Sequence, residues 1–328
     1  FSDGVHSPDE LVEVARAEGL DFIAVTDHNT ISAFAEFGEQ REVLVIPGME
    51  VTLLDGHFNV LGVGGWSDWM EGFVHERDIG ERPGRSSSDF LRQTSSLGLL
   101  NSLNHPVLKP WEWSDGAADM GDVHFVEVWN DPSWADNVEA NPEAIALWTK
   151  WLEAGHRITA IGGSDYHRPT PRPGQDKTPE RLGLPSTYVY AEQLSGAAIM
   201  QGLRRHRAYI SMGAQVSLQA QTNGKTYEIG DDLGELSGAI DFKAAATDCP
   251  SSGRAQIVRN GHVVAEAPVE GGQTVLRWRN NANPAHSDWY RLDLLGEERQ
   301  MLAITNPIYA GTQRTPAMQK FGDFVSLG

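Results

Sequence analysis

The sequence predicts an α/β domain with a mainly parallel sheet over residues 1–212 and an all-β, sandwich-like domain over residues 213–328. Two observations carry that division. Short β-rich runs alternate with helical stretches as far as Ser211, the pattern of βα units. Beyond Ser211, alternating segments are separated by Gly, Asn and Asp, which is the texture of an antiparallel sandwich.

In order, Pro8 to Glu18 reads as a helix, with Ser7 as N-cap, Pro8 at the first helical position, Leu11, Val14 and Ala15 on one face, and Gly19 at the C-terminal end. Strands are expected at Phe22–Thr26, Val43–Pro47, Phe58–Val63, Leu99–Leu103, His124–Val128, Ile158–Ile161 and Thr187–Tyr190. Further helices are expected at Ser88–Ser96, Pro142–Ala154 and Leu194–Arg205. The second half offers strands at Gln215–Thr222, Ala239–Thr247, Ala255–Val258, Val263–Ala267, Thr274–Trp278 and Trp289–Leu295. Gly64 to Ser88 has no clear period, and so long a loop reads as a functional lid.

With 26 basic and 45 acidic residues the net charge is −19, which repels nucleic acid and anionic membrane surfaces. No apolar run approaches the roughly 20 residues of a spanning helix. The partner expected is a small-molecule substrate, with no nucleic acid and no membrane, and oligomeric state is not legible. Cys249 is the only cysteine, so no internal disulfide can form and cysteine usage leaves the compartment open. The chain starts at Phe1 without Met, so it is expected to be part of something longer, and an upstream leader could be present. Localisation is therefore left unassigned.

Four segments put a His or a carboxylate at the end of an expected strand. They are Thr26-Asp27-His28, Pro47-Gly48-Met49-Glu50 with His57 following, Asn104-His105-Pro106, and Gly162-Gly163-Ser164-Asp165-Tyr166-His167. Strand ends of parallel barrels carry chemistry, and four of them can converge on one place. Asp165 and His167 point to the same side of an extended segment, and the small residues before them let backbones approach. Imidazole and carboxylate donors together suit Zn²⁺, Mn²⁺ or Fe²⁺.

The order Phe1-Ser2-Asp3-Gly4, Thr26-Asp27-His28-Asn29-Thr30, Pro47-Gly48-Met49-Glu50, His57, Asn104-His105-Pro106 and Gly163-Ser164-Asp165-Tyr166-His167 resembles the PHP (polymerase and histidinol phosphatase) superfamily. Leu182-Gly183-Leu184-Pro185-Ser186-Thr187 and Ile304-Thr305-Asn306-Pro307-Ile308-Tyr309 resemble its carbaryl-hydrolase-like branch. The resemblance implies a distorted seven-stranded, TIM-like (β/α) barrel joined to a C-terminal β domain, with two or three divalent metal ions. In it Glu50 resembles the carboxylate bridging two metals, with His57 and His105 on one and Asp165 on the other. Asp3, His28 and His167 resemble the third set, and Asp27 a group that orients a ligating imidazole. Catalysis is thereby assigned to Glu50, Asp165 and His167. The family opens with a His-x-His pair, and none of the 11 histidines here are two residues apart. That pair is expected within about six residues upstream of Phe1, where a strand would aim both rings to one side.

Paired cations that acidify a bridging water make the reaction class metal-assisted hydrolysis. No phosphate-binding glycine loop, Gly-x-Ser-x-Gly elbow or reactive cysteine competes with it. Phosphate esters stand first as substrates, with His75, Arg77, Arg85 and Arg168 as candidate binding residues and Arg82 beside them. Carboxyl esters, amides or aryl carbamates are the alternative, for which Trp66, Trp69 and Trp111 would form an apolar wall, with Trp113, Trp129 and Trp134 nearby in sequence. A non-catalytic binding module is the alternative of another class. The histidines at 6, 124, 156, 206, 262 and 286 read as solvated or capping residues, and Trp278 and Trp289 as core of the β domain.

Overall fold

The computed structural model describes residues 2–37, 42–73, 84–170, 179–250 and 252–325, the side chains of 72 and 73 excepted. Helix α1 (Pro8–Ala17) opens on a capping box: Ser7 Oγ accepts from the Glu10 N–H and Glu10 Oε2 accepts from the Ser7 N–H. Its Val12 and Ala15 bury against Ile23 and Val25 of β1 (Phe22–Val25). Strand β2 (Leu44–Leu53) pairs in parallel with β1 over Leu44–Pro47, then antiparallel with β3 (Gly56–Leu61) over Gly48–Leu53. Pro47, which has no N–H to donate, sits where the strand changes partner.

Helix α2 (Ser87–Ser96) leads to β4 (Leu100–Leu103), antiparallel to β3, and β5 (Phe125–Trp129) is parallel to β4. Helix α3 (Asn137–Glu153) returns the chain to β6 (Thr159–Gly162), parallel to β5, giving a six-stranded sheet in the order β1-β2-β3-β4-β5-β6. Next come β7 (Ser186–Val189), α4 (Gly196–Arg204) and β8 (Ala208–Ser211). The sandwich follows with β9 (Gln215–Thr222), β10 (Lys225–Glu228), β11 (Gly238–Thr247), β12 (Arg254–Arg259), β13 (His262–Pro268), β14 (Thr274–Ala282), β15 (Ser287–Leu295), β16 (Met301–Thr305) and β17 (Ile308–Gly311). One of its sheets runs β10-β9-β11-β14; the other runs β13-β12-β15-β16-β8-β7, with β17 on β15.

The expected seven-stranded, TIM-like (β/α) barrel is therefore corrected. The described residues hold four α-helices against 17 strands spread over several sheets. Two connections decide this. Only Leu54 and Asp55 separate β2 from β3, and so short a link reverses the chain, whereas a parallel return needs a crossover of a dozen residues or more. Strands β7 and β8 pair antiparallel with each other, and β8 joins β16, so neither extends the first sheet.

The same pairing lets the two halves share a core. Val258, Trp289, Ile304 and Tyr309 lie in one apolar cluster with Met49, Phe58, Trp148 and Trp151. Trp289 thus belongs to the joint between the halves, while Trp278 packs beside the sandwich core. Buried Asn306 stitches the joint: its Oδ1 accepts from the Ala160 N–H (2.8 Å) and its Nδ2 donates to the carbonyls of Ala160 (2.9 Å) and Ala208 (3.0 Å). No described helix is long and apolar enough to cross a membrane.

Candidate metal centre

Strand pairing carries the candidate ligands to one end of the first sheet. Beyond β1 the chain stays alongside β2: the Glu50 N–H donates to Asp27 O (3.1 Å) and the Asn29 N–H to Glu50 O (2.8 Å), so His28 lies beside Glu50. The Asn29 side chain extends this register, accepting from the Thr52 N–H (2.8 Å) and donating to Thr52 O (3.0 Å). His57 stands on β3 opposite Thr52, His105 follows β4, and Asp165 and His167 follow β6.

Glu50, His57 and His105 form a buried group, 5%, 7% and 7% exposed, whose donor atoms lie within 4.8 Å of one another and could hold a metal ion. Glu50 Oε1 is 3.4 Å from His57 Nδ1 and 3.7 Å from His105 Nε2, and it accepts from Asn104 Nδ2 at 2.9 Å. Asp3, His28 and His167 form a second, half-buried group. His28 links the two: its Nδ1 is 3.1 Å from Glu50 Oε2 and its Nε2 is 3.8 Å from Asp3 Oδ1. His167 Nδ1 is hydrogen-bonded to the Asp165 carbonyl (2.6 Å), and a carbonyl only accepts. The neutral ring therefore keeps its proton on Nδ1 and turns the lone pair of Nε2 toward Asp3 Oδ1, 3.2 Å away.

The donor chemistry fits a borderline divalent cation, with two imidazoles and a carboxylate in each group. The buried His105 Nδ1 has no hydrogen-bond partner, a cost to the folded chain that a ligand there would remove. Backbone strain marks the same place, since His105 (φ 28°) and Asp165 (φ 44°) hold left-handed conformations costing about 1–3 kcal/mol each.

Electrostatics agree. Burial alone would raise the Glu50 carboxyl, but the contacts from His105, His28 and His57 together hold it well below the ordinary carboxylate range. Burial would lower His105, yet Glu50, Glu127 and Asp165 together push it up to about 9. His28 is raised in the same way, burial being outweighed by Glu50, Asp165 and Asp3.

The sign of the pH dependence follows from His105. Its folded value of about 9 lies above the ordinary 6.5, so its pairing stabilises the metal-free chain fully below pH 6.5 and is lost as pH rises through about 9. The melting temperature of chelator-treated protein is expected to fall across that window. Metal-loaded protein should fall less steeply there, because a ligating imidazole is already neutral. Equal pH slopes for the two forms in differential scanning calorimetry would contradict this.

The remaining expected site residues are placed as follows. The Asp27 carbonyl serves β2, and the group hydrogen-bonded to His28 Nδ1 is the Thr52 hydroxyl (2.6 Å). Arg168 Nη2 donates to Asp3 O (3.0 Å) and lies 3.5 Å from Asp3 Oδ2, at the edge of the second group. Arg85 is turned along α2 instead, over the Phe90 ring and hydrogen-bonded to Gln93 Oε1 and Asp89 O. Trp69 is buried with Met70, Phe90 and Leu91, so it packs the core and is not at a mouth; Trp113 and Trp129 are buried likewise. Trp66 is 55% and Trp111 38% exposed, and Trp111 meets Trp134 edge to face at 5.4 Å. His75, Arg77 and Arg82 lie outside the described residues.

A cavity of about 1090 Å³ opens at the two groups, lined there by His28, Glu50, His105, Glu127, Asp165 and His167. Glu127 is the carboxylate that sequence reasoning missed. Burial pushes it up to about 8. The signal was a lone carboxylate at the centre of the apolar run Phe125-Val126-Glu127-Val128-Trp129, since a fully buried Glu is rare without a purpose.

No family model matches the chain. It is similar to an uncharacterized protein of Methanocaldococcus jannaschii, 26% identical over 133 residues that cover 40% of this chain and 70% of that protein.

Proposed function

We propose that the chain is a metal-dependent hydrolase of the PHP type that acts on phosphate esters. The observation that carries this reading is the buried Glu50–His57–His105 group joined through the His28 ring to Asp3 and His167. Two or three divalent ions, Zn, Mn or Fe, would be held by these six residues and Asp165. Bound there, they supply Lewis acidity toward a substrate oxygen and toward water.

The chain's own residues do the rest. Glu50 brings a full negative charge into a buried position of the site, and Asn104 and Thr52 fix the Glu50 carboxylate and the His28 ring. His167 holds a proton on Nδ1 against the Asp165 carbonyl, which leaves Nε2 available. Arg168 places a guanidinium beside Asp3, suited to a phosphoryl oxygen. A second reading, hydrolysis of a carboxyl ester, amide or aryl carbamate, rests on the Trp111–Trp134 pair on the loops that follow β4 and β5, which is not among the residues lining the cavity.

Elemental analysis, combined with assays on p-nitrophenyl phosphate, a phosphodiester and a naphthyl carbamate, tests both. The expected result is stoichiometric transition metal, with phosphate-ester turnover that a chelator removes and added metal restores. Turnover of the carbamate alone would select the second reading. Protein without stoichiometric metal and without turnover would be a binding module.

A further inference from the structure

Glu127 stands on β5, the strand between β4 and β6, and these two neighbours lead directly into His105 and Asp165. Its Oε2 accepts from the main-chain N–H of His105 (2.9 Å) and from Asn130 Nδ2 (3.1 Å). The same Asn130 nitrogen reaches Asp165 Oδ2 at 3.4 Å. Asn130 is itself clamped by α3: its Oδ1 accepts from Asn137 Nδ2 (2.8 Å), its N–H donates to Asn141 Oδ1 (2.9 Å), and its carbonyl accepts from Asn141 Nδ2 (2.8 Å). On the far side, a Cβ added at Gly163 would come within 3.1 Å of Glu127 Oε1, so the backbone just past β6 closes over the carboxyl group.

The two residues that Glu127 and Asn130 reach, His105 and Asp165, are both held in left-handed backbone conformations. A non-glycine residue keeps such a conformation only where its surroundings over-determine it. The His105 N–H, fixed by a carboxylate anchored one strand away, meets that requirement.

We propose that Glu127 is a positioning carboxylate of the metal centre, setting His105 through its N–H and Asp165 through the shared Asn130 amide so that both face one site. The inference rests on the metal-centre reading above. In it Glu127 is no ligand: it fixes the orientation of two ligands, as the outer partners of metal-bound groups do.

Co²⁺ alone is the probe, titrated into chelator-treated protein and followed by its visible absorption. Glu127→Gln is expected to keep the wild-type number of bound Co²⁺ ions, to weaken binding about 10- to 100-fold, and to shift the absorption bands at saturation. Asn130→Ala should shift the bands in the same direction, and it carries the comparison if Glu127→Gln fails to fold. Bands and affinity unchanged in the folded variants would overturn the inference. Loss of one Co²⁺ per chain in Glu127→Gln would overturn it too, by making Glu127 a ligand. Wild-type protein that takes up no Co²⁺ would instead remove the metal-centre reading, and this inference with it.

Discussion

Glu50→Gln is expected to abolish turnover, by roughly 10²- to 10³-fold or more, and to lower the bound metal. Removal of a single electrostatic group from a buried position of a site has an effect of that size. The substitution keeps shape and length but removes the one negative charge shared by His28, His57 and His105. It also puts an amide N–H₂ where one carboxylate oxygen accepts from Asn104 Nδ2 or meets His28 Nδ1. One of these contacts then becomes donor against donor, or the amide presents nitrogen where a cation needs oxygen. His286→Ala is the control. That imidazole lies on the exposed side of the sandwich against Asn283, and both metal content and kcat should be unchanged. Wild-type metal and wild-type kcat in Glu50→Gln would refute the assignment.

How far the fold could be read from the chain depended on whether the deciding feature was local. The start of α1 was legible because Ser7, Pro8 and Glu10 act within one turn. Strand β9 spans Gln215–Thr222 and β11 Gly238–Thr247, where strict alternation marks one face of a sheet. Pro47-Gly48 read as a strand end, yet β2 runs through it, because β1 stops there and β3 takes over the pairing. Helix α3 starts five residues before Pro142, since Asn137 and Asn141 are tied to the end of β5, a contact that periodicity cannot show. The barrel failed for a nonlocal reason: nothing within Ser186–Ser211 says that β8 pairs with β16, about 90 residues on, and carries β7 with it.

The candidate site divides in the same way. His28, Glu50, His105, Asp165 and His167 were visible because each follows a short apolar run that ends in a turn signal. Thr52 and Asn130 were not, since an uncharged side chain in a strand or loop carries no mark of its neighbours. Arg85 was misleading, because an arginine in an expected lid looks like a substrate clamp until Phe90 and Gln93 are seen to occupy it. Trp69 was misleading for a different reason: a loop tryptophan serves a core or a pocket with the same residue type.

The largest expected loss of stability is at the joint between the halves. Arg291 on β15 and Asp293 two residues on are both buried, with side chains 7% and 9% exposed. The guanidinium binds the carboxylate in a fork, Nε to Oδ1 at 2.8 Å and Nη2 to Oδ2 at 3.1 Å. Its third arm, Nη1, donates to Thr149 Oγ1 of α3 at 2.9 Å, and the group lies 5.2 Å from the Trp148 ring and 5.5 Å from that of Trp289. Arg291→Met leaves Asp293 buried without its cation and is expected to cost about 3–5 kcal/mol. Arg291→Lys should recover little, because an ammonium cannot make the fork and reach Thr149 as well. The double variant Arg291→Met/Asp293→Leu removes both charges together and should regain most of the loss, since apolar groups of similar volume replace a buried pair at little or no cost. Urea unfolding followed by tryptophan fluorescence checks all three. A double variant as unstable as Arg291→Met would show that the stabilisation comes from the contacts with Thr149, Trp148 and Trp289, and that the ion pair contributes none of it.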